Sequence, residues 1–161
     1  MEKRLGVELR YLWHIRDVAP GTLAPLALFL PLVGHGRRTP ADLLHLARIG
    51  ATLVQDCGEC LQIAVNVAGQ EGVPREVLEA AVRGRFDLLG PSHRAALGFG
   101  QSVSSGMDGA EQREVLLPVV GEAGMVELAV AVASSQVFPV LKRGLGMARA
   151  CRLDAIRFRA A

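Results

Sequence analysis

The sequence predicts an all-α protein, a single-domain helical bundle, and three observations carry that prediction. Half of the 161 residues are hydrophobic but only 4% are aromatic, so the interior must be built from Leu, Val, Ala and Ile, a helix-packing vocabulary. Helix starts and stops recur along the chain as Pro, Asp, Ser and Gly at the ends of apolar-periodic segments. No strand pattern and no internal repeat interrupts them. A chain of this length fits one domain, since most domains hold ~100 to 150 residues around one core.

Up to about Pro40 the periodicity is weakest. Pro20, Gly21, Pro25, Pro31, Gly34 and Gly36 punctuate the apolar run Leu26 to Val33, which predicts short helices and turns. Thr39 is placed to N-cap a helix with Pro40 in its first position and Asp42 in its first turn. Leu43, Leu46, Ala47, Ile49, Gly50 and Leu53 give that helix its apolar face. A second helix is expected from Asp56, where Asp56-Cys57-Gly58-Glu59 has the capping-box spacing, and it runs to the Gly69/Gly72 stop. Pro74 starts a helix over 75–83 that Gly84 closes, and Gly90-Pro91-Ser92 opens another that Ser104-Ser105-Gly106 ends. Asp108 and Glu111 repeat the capping spacing before Val115. The last long helix is expected from about Glu122 to Arg143, with a kink at Pro139, which lacks an N–H and crowds the preceding turn.

Composition excludes several classes. A formal net charge of +2 is too weak for nucleic-acid binding, even with the basic group from Arg143 to Arg159 that includes Lys142. Glu8, Arg10, Arg16 and Asp17 break the apolar stretches after the N-terminus, so no secretory segment is expected and the cytosol is the expected location. Val115 to Leu141 is the most apolar long segment, but Glu122, Glu127 and two prolines make it read as a buried helix rather than a membrane span. Three cysteines without an export signal argue against a disulfide framework, and C-x-x-C spacing points to redox or metal chemistry. Metal is disfavoured, because no second C-x-x-C or paired His supplies the remaining ligands.

Cys57 and Cys60 lie three apart, on one face of a helix, with Cβ atoms roughly 5 to 6 Å apart, close enough for a disulfide once the first turn adjusts. At a helix start they also meet unpaired backbone N–H groups and the positive end of the dipole, which favour thiolate. Asp56 and Glu59 act the opposite way, since a nearby negative charge raises a thiol pKa. The alternative for both cysteines is that of small buried apolar residues. Cys151, among Ala148, Ala150 and Leu153, reads as packing rather than as a third redox partner.

The stretch His45 to Gly84, HLARIGATLVQDCGECLQIAVNVAGQEGVPREVLEAAVRG, resembles the core of the alkyl hydroperoxidase D and carboxymuconolactone decarboxylase family: a helix, a C-x-x-C at the next helix start, a Gly-Val-Pro break and a short helix. Arg94 to Gly146, with a Glu-Leu-Ala helix ending in Lys-Arg-Gly-Leu-Gly, resembles it too. The resemblance spans about 25–146 as core, leaving 1–24 and 147–161 peripheral. It implies an alkyl hydroperoxidase D-like helical fold, a homo-oligomer, and a thiol-dependent peroxidase or disulfide reductase with no bound organic cofactor. A peroxide or disulfide would be the substrate and an external dithiol or protein reductant the partner. It implies further that Cys60 is the nucleophile and Cys57 resolves it.

Two positions depart from the family pattern. The relay's Glu on the preceding helix and its His after the second cysteine are here His45 and Ala64. His45 is a candidate base or proton carrier in place of that Glu, because imidazole titrates near neutral pH; otherwise it is an ordinary helix histidine. Glu59, between the cysteines, is a candidate proton shuttle, a capping partner, or both. The candidate site is therefore Cys60, Cys57, Glu59 and His45. Two rival functions accompany it: a lactone or β-keto acid decarboxylase of the same fold, against which the cysteine pair counts, and a non-catalytic helical oligomer that keeps the dithiol as packing.

Overall fold

The computed structural model describes residues 2–158; Met1, Arg159 at the end of the basic group, Ala160 and Ala161 lie outside the described residues, as do the side chains of Lys3 and Arg4. The described residues are helical with no strand, as an all-α class requires. The helices are α1 (Glu2–Leu5), α2 (Arg10–Val18), α3 (Leu23–Val33), α4 (Ala41–Val54), α5 (Gly58–Gln70), α6 (Arg75–Val82), α7 (Pro91–Ser104) and α8 (Ala110–Gly144).

The helix α4 is the mast of the fold. Leu43, Leu44, Leu46, Ala47, Ile49, Gly50 and Ala51 are all buried, and a helix apolar on every side must be surrounded. Its neighbours are α5, α6, α7 and α8. Against α7 the approach is backbone to backbone: a Cβ on Gly50 would stand 2.2 Å from the Leu97 carbonyl oxygen, and one on Gly100 2.0 Å from that of Ala47. The two glycines thus set an interaxial spacing that no larger residue permits, since helix separation follows the side chains at the crossing.

One helix start and one bend differ from the expected ones. The residue at the α4 N-cap is Pro40 rather than Thr39, because Thr39 is engaged elsewhere: its hydroxyl donates to the Gly124 carbonyl at 3.2 Å. Its N–H, with those of Arg37 and Arg38, donates to the Glu127 carboxylate at 2.8 to 3.2 Å. These backbone donors hold the Glu127 pKa down to about 2. The long apolar helix bends at Gly121 (φ 67°, ψ 177°) and not at Pro139, which stays buried inside a continuous helical run. A left-handed φ is a conformation glycine adopts without a Cβ clash, so the break falls there.

By length and composition α8 could cross a membrane, and 39% of its apolar window is buried. It is therefore half-covered rather than fully buried as expected, with Leu116, Leu128, Ala131 and Val132 facing the core. The apolar helix α3 has no buried residue, and Leu28 is 80% exposed.

Overpacking a tight core typically costs ~1 to 3 kcal/mol. Gly100→Ala should therefore lower the urea midpoint by about that stability. Gly144→Ala, where nothing stands within 4 Å, should leave it unchanged or raise it.

Candidate active site

The dithiol sits where α4 turns into α5. Asp56 takes a left-handed backbone (φ 47°), uncommon for a non-glycine residue but several-fold commoner for Asp. Cys57 follows in extended conformation as the N-cap of α5, and Cys60 is the third residue of the helix. The Cys57 side chain makes no capping hydrogen bond within the normal limits, but the three-residue spacing brings its sulfur under the influence of the Cys60 thiol and N–H. The capping box expected of Asp56 and Glu59 does not form. Asp56 Oδ1 instead accepts the Cys151 N–H at 2.8 Å, and Glu59 reaches across to Lys142.

A strap from the C-terminal segment covers this turn. The Gly58 N–H, one of the helix's open donors, donates to the Arg149 carbonyl at 3.1 Å. A Cβ at position 58 would lie 3.2 Å from the Ala150 oxygen and 3.4 Å from the Cys151 Cα, so glycine lets the strap lie close. Arg143 ties the same end down through the Gln55 side chain and carbonyl. Farther along α5, Gln62 exchanges two hydrogen bonds with the Arg157 backbone at 2.8 and 2.9 Å. Beneath this cover Cys57 is 1% and Cys60 9% exposed. All three cysteines are free thiols.

The charge that faces the pair is Lys142, from the end of α8. Its side chain is almost wholly buried, with Nζ 2.7 Å from Glu59 Oε2 and 4.8 Å from the centre of the Tyr11 ring. Tyr11, on α2, is fixed edge-on by Phe138 at 6.2 Å. An ammonium placed over an aromatic face and against a carboxylate recovers part of its lost hydration.

The thiols titrate as a unit. The Cys60 thiol donates to the Cys57 sulfur and lowers its pKa to about 6; burial opposes this, the Cys60 N–H and Lys142 assist, and Glu59 opposes. The Cys60 pKa is driven up, first because its proton is held by Cys57 and then by burial. One proton thus leaves easily and the second is retained. The acid-lowering influences win at Cys57, and the thiolate falls on the cysteine opposite to the one the resemblance implies as nucleophile. Burial also raises the Tyr11 pKa, with Cys60, Cys57 and Glu59 adding to it, so its phenol keeps its proton.

His45 does not join this group. Its Nε2 lies 2.8 Å from Glu71 Oε2, and Glu71 stands just beyond the other end of α5, eleven residues or about 16 Å of helix past Cys60. The reason is antiparallel packing: a residue early in α4 faces the end of α5. Burial lowers the His45 pKa despite Glu71. His93 likewise pairs with Asp42, at 2.8 Å, away from the thiols. Of the four sequence-derived candidates, Cys57, Cys60 and Glu59 come together and His45 does not.

Tyr11 and Lys142 were missed as site residues. A lysine directly after Val137-Phe138-Pro139-Val140-Leu141 was the available signal, since a charge at the end of an apolar run needs a partner where it is buried. Tyr11 carried no such sign. Among the described residues no group of three His, Cys, Asp or Glu side chains is placed to share a metal ion. Comparison with protein-family models, curated proteins and solved structures yields no match to this chain.

Thiolate absorbance should rise by one equivalent per chain with a midpoint near pH 6, and Cys60 should add nothing below pH 9. A depressed Cys57 pKa stabilises the fold above the unfolded thiol value of ~8.5 and loses that contribution as pH falls toward 6. The raised Cys60 pKa penalises folding above ~8.5, where the unfolded chain releases a proton the folded one keeps. The pair's contribution to stability should therefore peak near pH 8 to 9, and Cys57→Ser/Cys60→Ser should flatten that peak in denaturant melts.

Glu59→Gln leaves the Lys142 ammonium buried without its anion and should cost about 3 kcal/mol, as breaking a buried pair does. Lys142→Met should cost less, because Glu59, about one-third exposed, can hydrate. The two should move the thiolate midpoint in opposite directions, down for Glu59→Gln and up for Lys142→Met.

Proposed function

We propose that the chain is a thiol-disulfide oxidoreductase of the peroxidase type, with Cys57 and Cys60 as its redox pair, in keeping with its resemblance to alkyl hydroperoxidase D. The observation that carries this reading is a covered dithiol at a helix start, with Cys57 as the N-cap, Cys60 one turn on and the buried Lys142 beside them; the Cys60 thiol in turn lowers the Cys57 pKa to about 6. The thiolate is the reactive form of cysteine, and a second thiol within reach converts its oxidation into a reversible disulfide.

The sequence of bonds follows from that arrangement. The Cys57 thiolate attacks the terminal oxygen of a hydroperoxide; an S–O bond forms, the O–O bond breaks, and the alcohol oxygen leaves with the electron pair. Once the Cys57 sulfur has spent its charge it no longer holds the Cys60 proton, which passes to the leaving oxygen. The Cys60 thiolate then attacks the Cys57 sulfenic acid, forming the disulfide and expelling hydroxide, which solvent protonates. Sulfur loses two electrons in all, and peroxide becomes alcohol and water. An external dithiol or protein reductant restores the pair by thiol-disulfide exchange. Lys142 supplies the fixed positive charge beside the departing oxygens, the kind of preorganised stabilisation that acts where charge develops. Glu59 acts through Lys142 and tempers its field.

The same reading includes a homo-oligomer. Its support is α3, where Leu23 and Leu26 pack against the Leu9/Tyr11/Ile15 cluster but Leu28, Leu30 and Leu32 stay exposed; exposed apolar patches of this kind commonly mark interaction sites. Sedimentation equilibrium should give a mass above that of one chain.

Under one equivalent of peroxide the wild type should lose two thiols. Cys60→Ser should lose only the Cys57 thiol and accumulate a dimedone-reactive sulfenic acid at position 57. Cys57→Ser should react at least 100-fold more slowly. Accumulation of sulfenic acid at Cys60 in Cys57→Ser, at the wild-type rate, would restore the order the resemblance implies. If both thiols survive excess peroxide, the function is wrong.

A further inference from the structure

Beside the dithiol turn lies a cavity of about 280 Å³ that the mechanism above does not use. Glu59 and Lys142 form one side of it; Arg10, Tyr11, Met147, Ala148 and Arg149 form the rest. Its charges do not balance. Three cations face it against one carboxylate, and that carboxylate is already committed to Lys142 at 2.7 Å. Arg10 has its Nε held by Glu8 outside the cavity, at 2.7 Å, and Arg149 is anchored by its own carbonyl on the Gly58 N–H. Glu59 acts on Arg10 as well as on Lys142, whereas among the described residues no carboxylate pairs with the Arg149 guanidinium. Between the two guanidinium groups the walls are apolar: the Tyr11 ring, Met147 and Ala148. The volume lies just below the ~300 to 1,000 Å³ of sites for drug-sized ligands, which suits a compact molecule and not a protein segment.

We infer that this cavity binds the carboxylate of a small organic acid, with Arg149 and Arg10 on the anion and Tyr11, Met147 and Ala148 around its apolar body. Guanidinium groups match carboxylates geometrically and in charge. Resting on the oxidoreductase reading, the inference names the substrate class: an organic hydroperoxide that carries a carboxylate. The acid group is held in the cavity while the peroxide reaches toward the turn that contains Glu59 and the two cysteines. Arg149 belongs to the strap that covers Cys57, so ligand and cover share one residue.

The test compares a carboxylate-bearing alkyl hydroperoxide with its methyl ester on the reduced protein, following loss of the two thiols. The acid should oxidise the pair about tenfold faster than the ester, equivalent to ~1.4 kcal/mol of selective binding, and added salt should shrink the difference. In Arg10→Gln/Arg149→Gln the ratio of acid to ester should fall to about one. Each variant supplies its own ester reference, so a general loss of folding or rate cancels. Calorimetry with benzoate against benzamide supplies a readout without redox chemistry; benzoate should bind, and the double variant should not. Equal rates for acid and ester together with no benzoate binding would overturn the cavity's role while leaving the peroxidase reading intact. Benzoate binding that the double variant abolishes, with thiols that no hydroperoxide oxidises, would keep the site and sink the peroxidase.

Discussion

A buried ammonium is the constraint around which this site is organised. Lys142 has almost no contact with water, and an unpaired charge in that position would shift its pKa or unfold the chain. Its needs are met by three separate elements: the end of α8 that carries it, the Glu59 carboxylate from the first turn of α5, and the Tyr11 ring from α2. None of these neighbours in space is a neighbour in sequence. Once they are assembled, the dithiol has little freedom, because Glu59 lies between the cysteines, next to Cys60 and two residues after Cys57. The electrostatics of the thiols and the packing of the three helices are therefore one problem with one solution.

The mast helix explains why the two ends of the α4/α5 hairpin have different chemistry. At one end the chain leaves α4 through Asp56 in a left-handed turn and presents the thiols. At the other, His45 and Glu71 close the hairpin with a polar contact. Gly50 and Gly100 bring α7 against α4 so tightly that α4 cannot slide to carry His45 toward the dithiol. A position that a family pattern would assign to proton transfer has become a tie between helices here. The groups that act on the Cys57 thiol are instead Cys60, Lys142 and Glu59.

How far the sequence could be read depended on whether a signal was local. Helices flanked by Pro or Gly, such as those after Pro74 and Gly90, are legible because their boundaries are dictated by backbone chemistry within a few residues. The Cys57/Cys60 spacing is legible for the same reason. What failed were assignments that depend on a distant competitor. Thr39 is a sound cap until Gly124 and Glu127, more than eighty residues away, take its hydroxyl and N–H. The Asp56/Glu59 box is a sound pairing until Cys151 and Lys142 claim the two carboxylates. Pro139 was the expected bend, but a left-handed glycine at 121 absorbs the change of direction at lower cost. In the first two cases local propensity lost to a tertiary hydrogen bond or ion pair, which no window of sequence contains.

The strap that closes over Cys57 is made late, and the turn it covers is completed some ninety residues earlier. During synthesis, where chains organise from the N-terminal side, α4 and α5 can pair long before Arg149 reaches the Gly58 N–H. For that interval the helix start is open and Lys142 has not arrived, so Cys57 is uncovered and has Cys60, its strongest influence, but not the cation. The cover and the buried cation are thus acquired together, late, while the pairing of the two thiols comes early. A nascent chain leaves its dithiol open, and the later segment closes over it.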